Sequence, residues 1–138
     1  MKKETISYVF AEVGLSFGLE ISICIISKIR TTGISMSEGT ILIVDDEQMI
    51  RELLVDMLNE TGNFEIYTAQ NGKDALEIAS QHEIDLVLTD LRMPVMGGME
   101  LLAELRKRKP DISVVILTAF GRREDVIEAL RLGASNFL

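Results

Sequence analysis

The chain has 138 residues, 47% of them hydrophobic and only two of them Pro, which suits one domain large enough to bury a core. Its formal charge of −8 is unevenly spread: residues 1–35 hold four Lys/Arg against three Asp/Glu, whereas residues 36–138 hold ten against nineteen. So acidic a body argues against direct nucleic-acid contact, and the single Cys24 excludes an internal disulfide and a cysteine-built metal site, in keeping with a cytoplasmic setting.

Residues 1–35 stand apart from the rest. Met1-Lys2-Lys3 followed by apolar residues looks like a signal or a membrane span, but Glu12 and Glu20 interrupt the stretch. A carboxylate at the centre of a span costs roughly 2.5–3.5 kcal/mol on insertion scales, and no small-residue cleavage site follows. A membrane role is therefore not expected. Val13, Leu15, Phe17, Leu19, Ile21, Ile23 and Ile25 alternate with small and polar residues, a period-two pattern of a strand or hairpin. The segment reads either as a leader ahead of a natural start at Met36 or as an added β-strand, with residues 36–138 forming the domain proper.

From Thr40 the pattern alternates. Strand Thr40–Val44 leads to a helix over 48–59 whose Ile50, Leu53, Leu54, Met57 and Leu58 share a face. A strand over 64–69 follows, then a short helix opened by Asn71-Gly72 with Asn71 as N-cap. Strand 85–88, the loop 92–97 and a helix over 98–108 come next. Strand 112–117 precedes a helix over 123–132 closed by Gly133, and Asn136-Phe137-Leu138 begins another extended segment. Strands separated by helices imply right-handed βαβ units and an α/β, doubly wound parallel sheet.

Three apolar runs end in polar residues: Ile41–Val44 in Asp45-Asp46, Leu86–Thr89 in Asp90, and Val114–Leu117 in Thr118. Continuous branched-aliphatic strands are buried on both faces, and ligands of such sheets bind outside the strands' carboxyl ends. Three carboxylates and a hydroxyl would thus meet at one edge. Crowded carboxylates resist ionising together unless a cation joins them, so the arrangement calls for a hard divalent metal. Arg106-Lys107-Arg108-Lys109 is expected to be an ordinary cationic helix end, and His82 to be exposed and idle.

Residues 40–138 resemble the receiver domain of two-component response regulators. The resemblance lies in Ile41-Leu42-Ile43-Val44-Asp45-Asp46-Glu47, Leu88-Thr89-Asp90-Leu91-Arg92-Met93-Pro94, Gly97-Gly98-Met99-Glu100-Leu101, Ile116-Leu117-Thr118-Ala119 and Gly133-Ala134-Ser135-Asn136-Phe137-Leu138. It implies a flavodoxin-like strand order 2-1-3-4-5 and a magnesium site, with manganese a possible substitute. Asp45, Asp46, Asp90 and the backbone carbonyl of Arg92 would be its ligands. Asp90 would be the phosphoacceptor, Thr118 a hydrogen-bond donor to the phosphoryl group, and Phe137 the aromatic that moves with Thr118. Arg92 and Phe120 would tune loss of the phosphoryl group. The implied partners are a sensor histidine kinase or phosphotransfer protein and an output domain or downstream protein. Such a chain is a self-phosphorylating switch and not an enzyme with a diffusible product.

The family's pattern continues with one further residue, a Lys-Pro pair and a final helix, whereas this sequence ends at Leu138. The last strand is therefore expected to be incomplete and the last helix missing, leaving an edge that Val13–Ile25 could cover within one molecule or across a homodimer. Without that lysine, the alternative is a pseudo-receiver that signals by contact alone. A phosphatase or nucleotide enzyme is disfavoured: no G-x-x-x-x-G-K-[ST] or G-x-G-x-x-G motif occurs.

Overall fold

The computed structural model describes residues 5–9, 30, 33, 38–118 and 134–137, with backbone alone for 5–9, 117–118 and 134–137. Six strands form one sheet: β1 (Thr5–Val9), β2 (Thr40–Val44), β3 (Glu65–Ala69), β4 (Leu86–Thr89), β5 (Ser113–Thr118) and β6 (Ala134–Phe137). Three helices are described with them: α1 (Gln48–Thr61), α2 (Gly72–Gln81) and α3 (Gly98–Arg108). The expected helix over 123–132, its Gly133 cap, Phe120 and Val13–Ile25 lie outside the described residues.

All strand pairs are parallel, and the sheet order is β3-β2-β4-β5-β1-β6. The first four strands of the expected order 2-1-3-4-5 keep their places. The edge differs. The fifth strand of that scheme, β6, is separated from β5 by β1, which comes from the N-terminal extension at Thr5–Val9 and not from the alternating stretch after Val13. Thr5-Ile6-Ser7-Tyr8-Val9 combines β-branched and aromatic residues, a strand composition in its own right.

Period two divides the strand residues between two faces. Leu42, Val44, Val87, Val114 and Ile116 pack with Ala75, Leu76 and Ala79 of α2 and with Leu101, Leu102 and Leu105 of α3. Ile41, Ile43, Leu86, Leu88 and Val115 face the other way, against Leu54 and Leu58 of α1. Ile41, Leu42, Leu86 and Val87 are fully buried, which is why these strands read as unbroken apolar runs.

Side chains tie the amino end of the sheet to backbone. Asp85 Oδ2 accepts the Thr40 N–H at 2.9 Å, and the Arg106 guanidinium donates to the Pro110 and Ile112 carbonyls at 3.2 and 2.7 Å. Lys107 and Arg108 pair with Glu104, as expected of a cationic helix end. His82 is exposed but not idle: its ring stacks on Tyr67 with centroids 4.3 Å apart.

Candidate acidic site at the carboxyl edge of the sheet

The strand register levels the ends of β2 and β4. Val44 pairs with Thr89, so Asp45 and Asp90 leave neighbouring strands at the same height. The backbone fixes both departures: Asp45 N–H donates to the Ala69 carbonyl at 3.1 Å and Asp90 N–H to the Val44 carbonyl at 2.9 Å. Asp45, Asp46 and Asp90 each offer a carboxylate oxygen, and these atoms lie within 4.8 Å of one another. The three acids read from the sequence are brought together.

Backbone amides hold two of the three. Glu47 N–H donates to Asp45 Oδ1 at 2.8 Å, an Asx-turn that leads into α1. Leu91 N–H donates to Asp90 Oδ1 at 2.7 Å, and the Arg92 N–H supports the same carboxylate. These bonds favour the ionised acids, but burial and like charge outweigh them. Asp45 is 8% exposed, and its carboxyl is pushed up to about 6, first by desolvation and then by the charges of Asp90, Asp46 and Glu47. Desolvation likewise raises Asp90, with Asp46 and Glu47 adding to it.

The donor set fits a hard divalent cation. All three ligands are carboxylate oxygens gathered within 4.8 Å of one another, the donor type that such an ion takes. Arg92 is exposed two residues after Asp90. Thr118 ends β5, next to β4. Phe137 is level with Ser7, which is level with Ile116, so β1 stands between the strands carrying Thr118 and Phe137. The side chains of those two residues lie outside the described part.

The loop after Asp90 is shaped by contacts that the sequence does not announce. Met96 N–H donates to the Pro94 carbonyl at 2.8 Å across Val95, whose φ is 69°. That is a γ-turn of the strained hand, built on a β-branched residue for which positive φ is a genuine outlier. Two ties over-determine it. Gly98 N–H donates to the Leu91 carbonyl and Gly72 N–H to the Met96 carbonyl, both at 2.9 Å. A Cβ at Gly98 would run into the Asp90 carbonyl, so only glycine lets α3 start there. Arg51 was also missed: its Nη1 donates to the Asp45 carbonyl at 2.7 Å from the first turn of α1.

Residues 41–138 match the response regulator receiver domain family. The chain belongs to that family. It is 39% identical over 99 residues to sporulation initiation phosphotransferase F of Bacillus subtilis, covering 72% of this chain and 79% of that protein. It is 39% identical over 98 residues to transcriptional regulatory protein GlrR of Escherichia coli, covering 71% of this chain but only 22% of the longer regulator. The crystal structure of response regulator protein TrrA from Thermotoga maritima, in complex with Mg(2+)-BeF, superposes with a TM-score of 0.64 at 40% identity, covering 72% of this chain and 84% of that one. Among the described residues no helix is long and apolar enough to cross a membrane.

Proposed function

We propose that this receiver domain accepts a phosphoryl group on Asp90 from a phosphohistidine of a sensor histidine kinase or phosphotransfer protein, in the cytoplasm, and passes the signal to an output domain or downstream protein. The observation that carries this reading is the gathering of three carboxylates within 4.8 Å at the carboxyl edge of a parallel sheet. A carboxylate oxygen of Asp90 attacks phosphorus, the P–N bond to the imidazole breaks, and the leaving nitrogen keeps the bonding pair. Water later cleaves the acyl phosphate and restores the carboxylate. The chain thus acts on itself and turns over no diffusible substrate of its own.

Asp45, Asp46, Asp90 and the Arg92 carbonyl would hold magnesium, or manganese in its place; the Mg(2+)-BeF complex of the Thermotoga relative supports the choice. When bound, the cation supplies positive charge against the crowded carboxylates and the incoming phosphoryl oxygens. The protein's own work is positional. Leu91 and Arg92 N–H groups orient the Asp90 carboxylate, and Glu47 N–H orients Asp45. Thr118, at the end of the adjoining strand, donates to a phosphoryl oxygen, and Phe137 responds to its movement. Met49 and Val95, 77% and 75% exposed, lie four residues after Asp45 and five after Asp90 and give the partner apolar contacts beside the acids.

The test is intact-mass spectrometry of the full chain after incubation with magnesium and acetyl phosphate, beside Asp90→Asn. One phosphoryl adduct on the native chain and none on Asp90→Asn is the expected result. No adduct on a folded native chain would refute the reading and leave a receiver that signals by contact.

A further inference from the structure

β1 is an addition to the family's fold. The family match begins at residue 41, so Thr5–Val9 lies wholly outside it, yet the strand sits inside the sheet. It pairs with β5 without a break over five positions, from Thr5 with Val114 to Val9 with Thr118. Its other seam is poorer. Thr5 pairs with Ala134 but Ile6 with Asn136, so Ser135 has no partner and the ladder is interrupted.

A strand has two edges, and one edge of β5 is filled by β4. β1 and β6 therefore address the same remaining edge. Both run parallel to β5, so β6 could take that edge without reversing direction. Fifteen residues separate β5 from β6, and a parallel crossover between adjacent strands needs about a dozen or more. Neighbouring strands are about 4.8 Å apart, so β1 holds β6 one such spacing further from β4 and Asp90 than direct pairing would.

We infer that Thr5–Val9 is a displaceable wedge: β1 and β6 compete for the free edge of β5, and the exchange sets how closely β6 approaches the acidic site. With β1 inserted, β6 is held off and the site accepts phosphoryl groups slowly; with β1 withdrawn, β6 closes onto β5 and acceptance quickens. The second half rests on the acceptor reading above; the strand exchange itself does not.

The test uses the full chain carrying Cys24→Ser. Thr5→Cys with Val114→Cys places thiols at facing positions, within disulfide reach for neighbouring strands. Mild oxidation should close an intramolecular disulfide, read by intact mass after alkylation, and the locked chain should take up phosphoryl groups from acetyl phosphate about tenfold more slowly than its reduced form. Ser7→Pro and Tyr8→Pro, made separately, each remove a ladder N–H, one toward each neighbour. In the variant that frees β5, Ala134–Phe137 amides should keep their protection from hydrogen exchange as β6 takes the vacated edge, and uptake should quicken. Failure of the folded chain to cross-link overturns the inference. So does loss of Ala134–Phe137 protection in both proline variants, which would make β1 a scaffold for β6. Equal uptake by locked and released chains refutes control of the site. If no chain takes up a phosphoryl group while β6 keeps its protection, the acceptor reading fails and the strand exchange stands.

Discussion

Replacing Asp45 with Asn should make the metal-free chain more stable at neutral pH, against the usual effect of substituting a buried, hydrogen-bonded residue. In the folded chain the Asp45 carboxyl holds its proton up to about pH 6, against an ordinary value of 3.8. A folded value raised above the unfolded one contributes stability that is complete below about pH 3.8 and lost as pH rises through about 6. The interval between the two values corresponds to about 3 kcal/mol. Asparagine never ionises, and its amide oxygen can still accept the Glu47 N–H that Asp45 Oδ1 now accepts at 2.8 Å. The variant should therefore exceed the native chain by about 2–3 kcal/mol at pH 7.5 in chelator, with the gap closing toward pH 4.

Urea denaturation followed by circular dichroism at pH 4.5, 5.5, 6.5 and 7.5 measures this, because the difference between the two chains cancels the titrating groups that do not interact with Asp45. Magnesium adds a second arm. It should raise the midpoint of the native chain and do little for Asp45→Asn, since a cation that binds only the folded state stabilises by mass action. A variant less stable than the native chain at pH 7.5, or an advantage as large at pH 4.5 as at 7.5, would refute the electrostatic account of the site.

Three further substitutions probe the local geometry. Gly98→Ala puts a methyl group into the Asp90 carbonyl and should destabilise by about 1–3 kcal/mol in urea denaturation, with slower phosphoryl uptake because Asp90 must shift. Val95→Gly relieves a positive-φ valine and should stabilise by about 1 kcal/mol, measured the same way; a loss of stability would show that the γ-turn is not strained. Asn71→Ala removes the oxygen that accepts the Asp74 N–H at 2.8 Å and should cost about 1 kcal/mol, with faster hydrogen exchange confined to the first turn of α2.

The strands that carry the site were legible because burial on both faces demands what a sequence displays plainly, an unbroken aliphatic run. β2 lies where those residues place it, and α3 runs from Gly98 to Arg108 as read. β4 begins one residue late, at Leu86, and the Asp85 side chain just before it takes the Thr40 N–H. The three acids could be read because they follow such runs immediately. Arg51, Gly72 and Val95 could not, since their roles depend on backbone carbonyls and on a φ value that no spacing encodes. β1 was not legible in the extension, because it is hydrogen-bonded on both sides inside a parallel sheet, where the alternation by which a half-buried strand is read is not required.

The two ends of the sheet use their charged groups in opposite ways, and this bears on purpose independently of any relative. At the amino end, Asp85 and Arg106 satisfy backbone N–H and carbonyl groups, the ordinary structural use of a partly buried charge. At the carboxyl end the relation is inverted. Backbone N–H groups of Glu47, Leu91 and Arg92 donate to carboxylates, and the three acids gather within 4.8 Å of one another. Burial and repulsion raise two of them, and the loop beside them carries a strained valine and a glycine pressed against a carbonyl. The raised carboxyls and the positive-φ valine lower the stability of the chain without a bound cation. Unfavourable charge and strain gathered at one edge, and held there by main-chain contacts, are what the proposed cation and phosphoryl site requires.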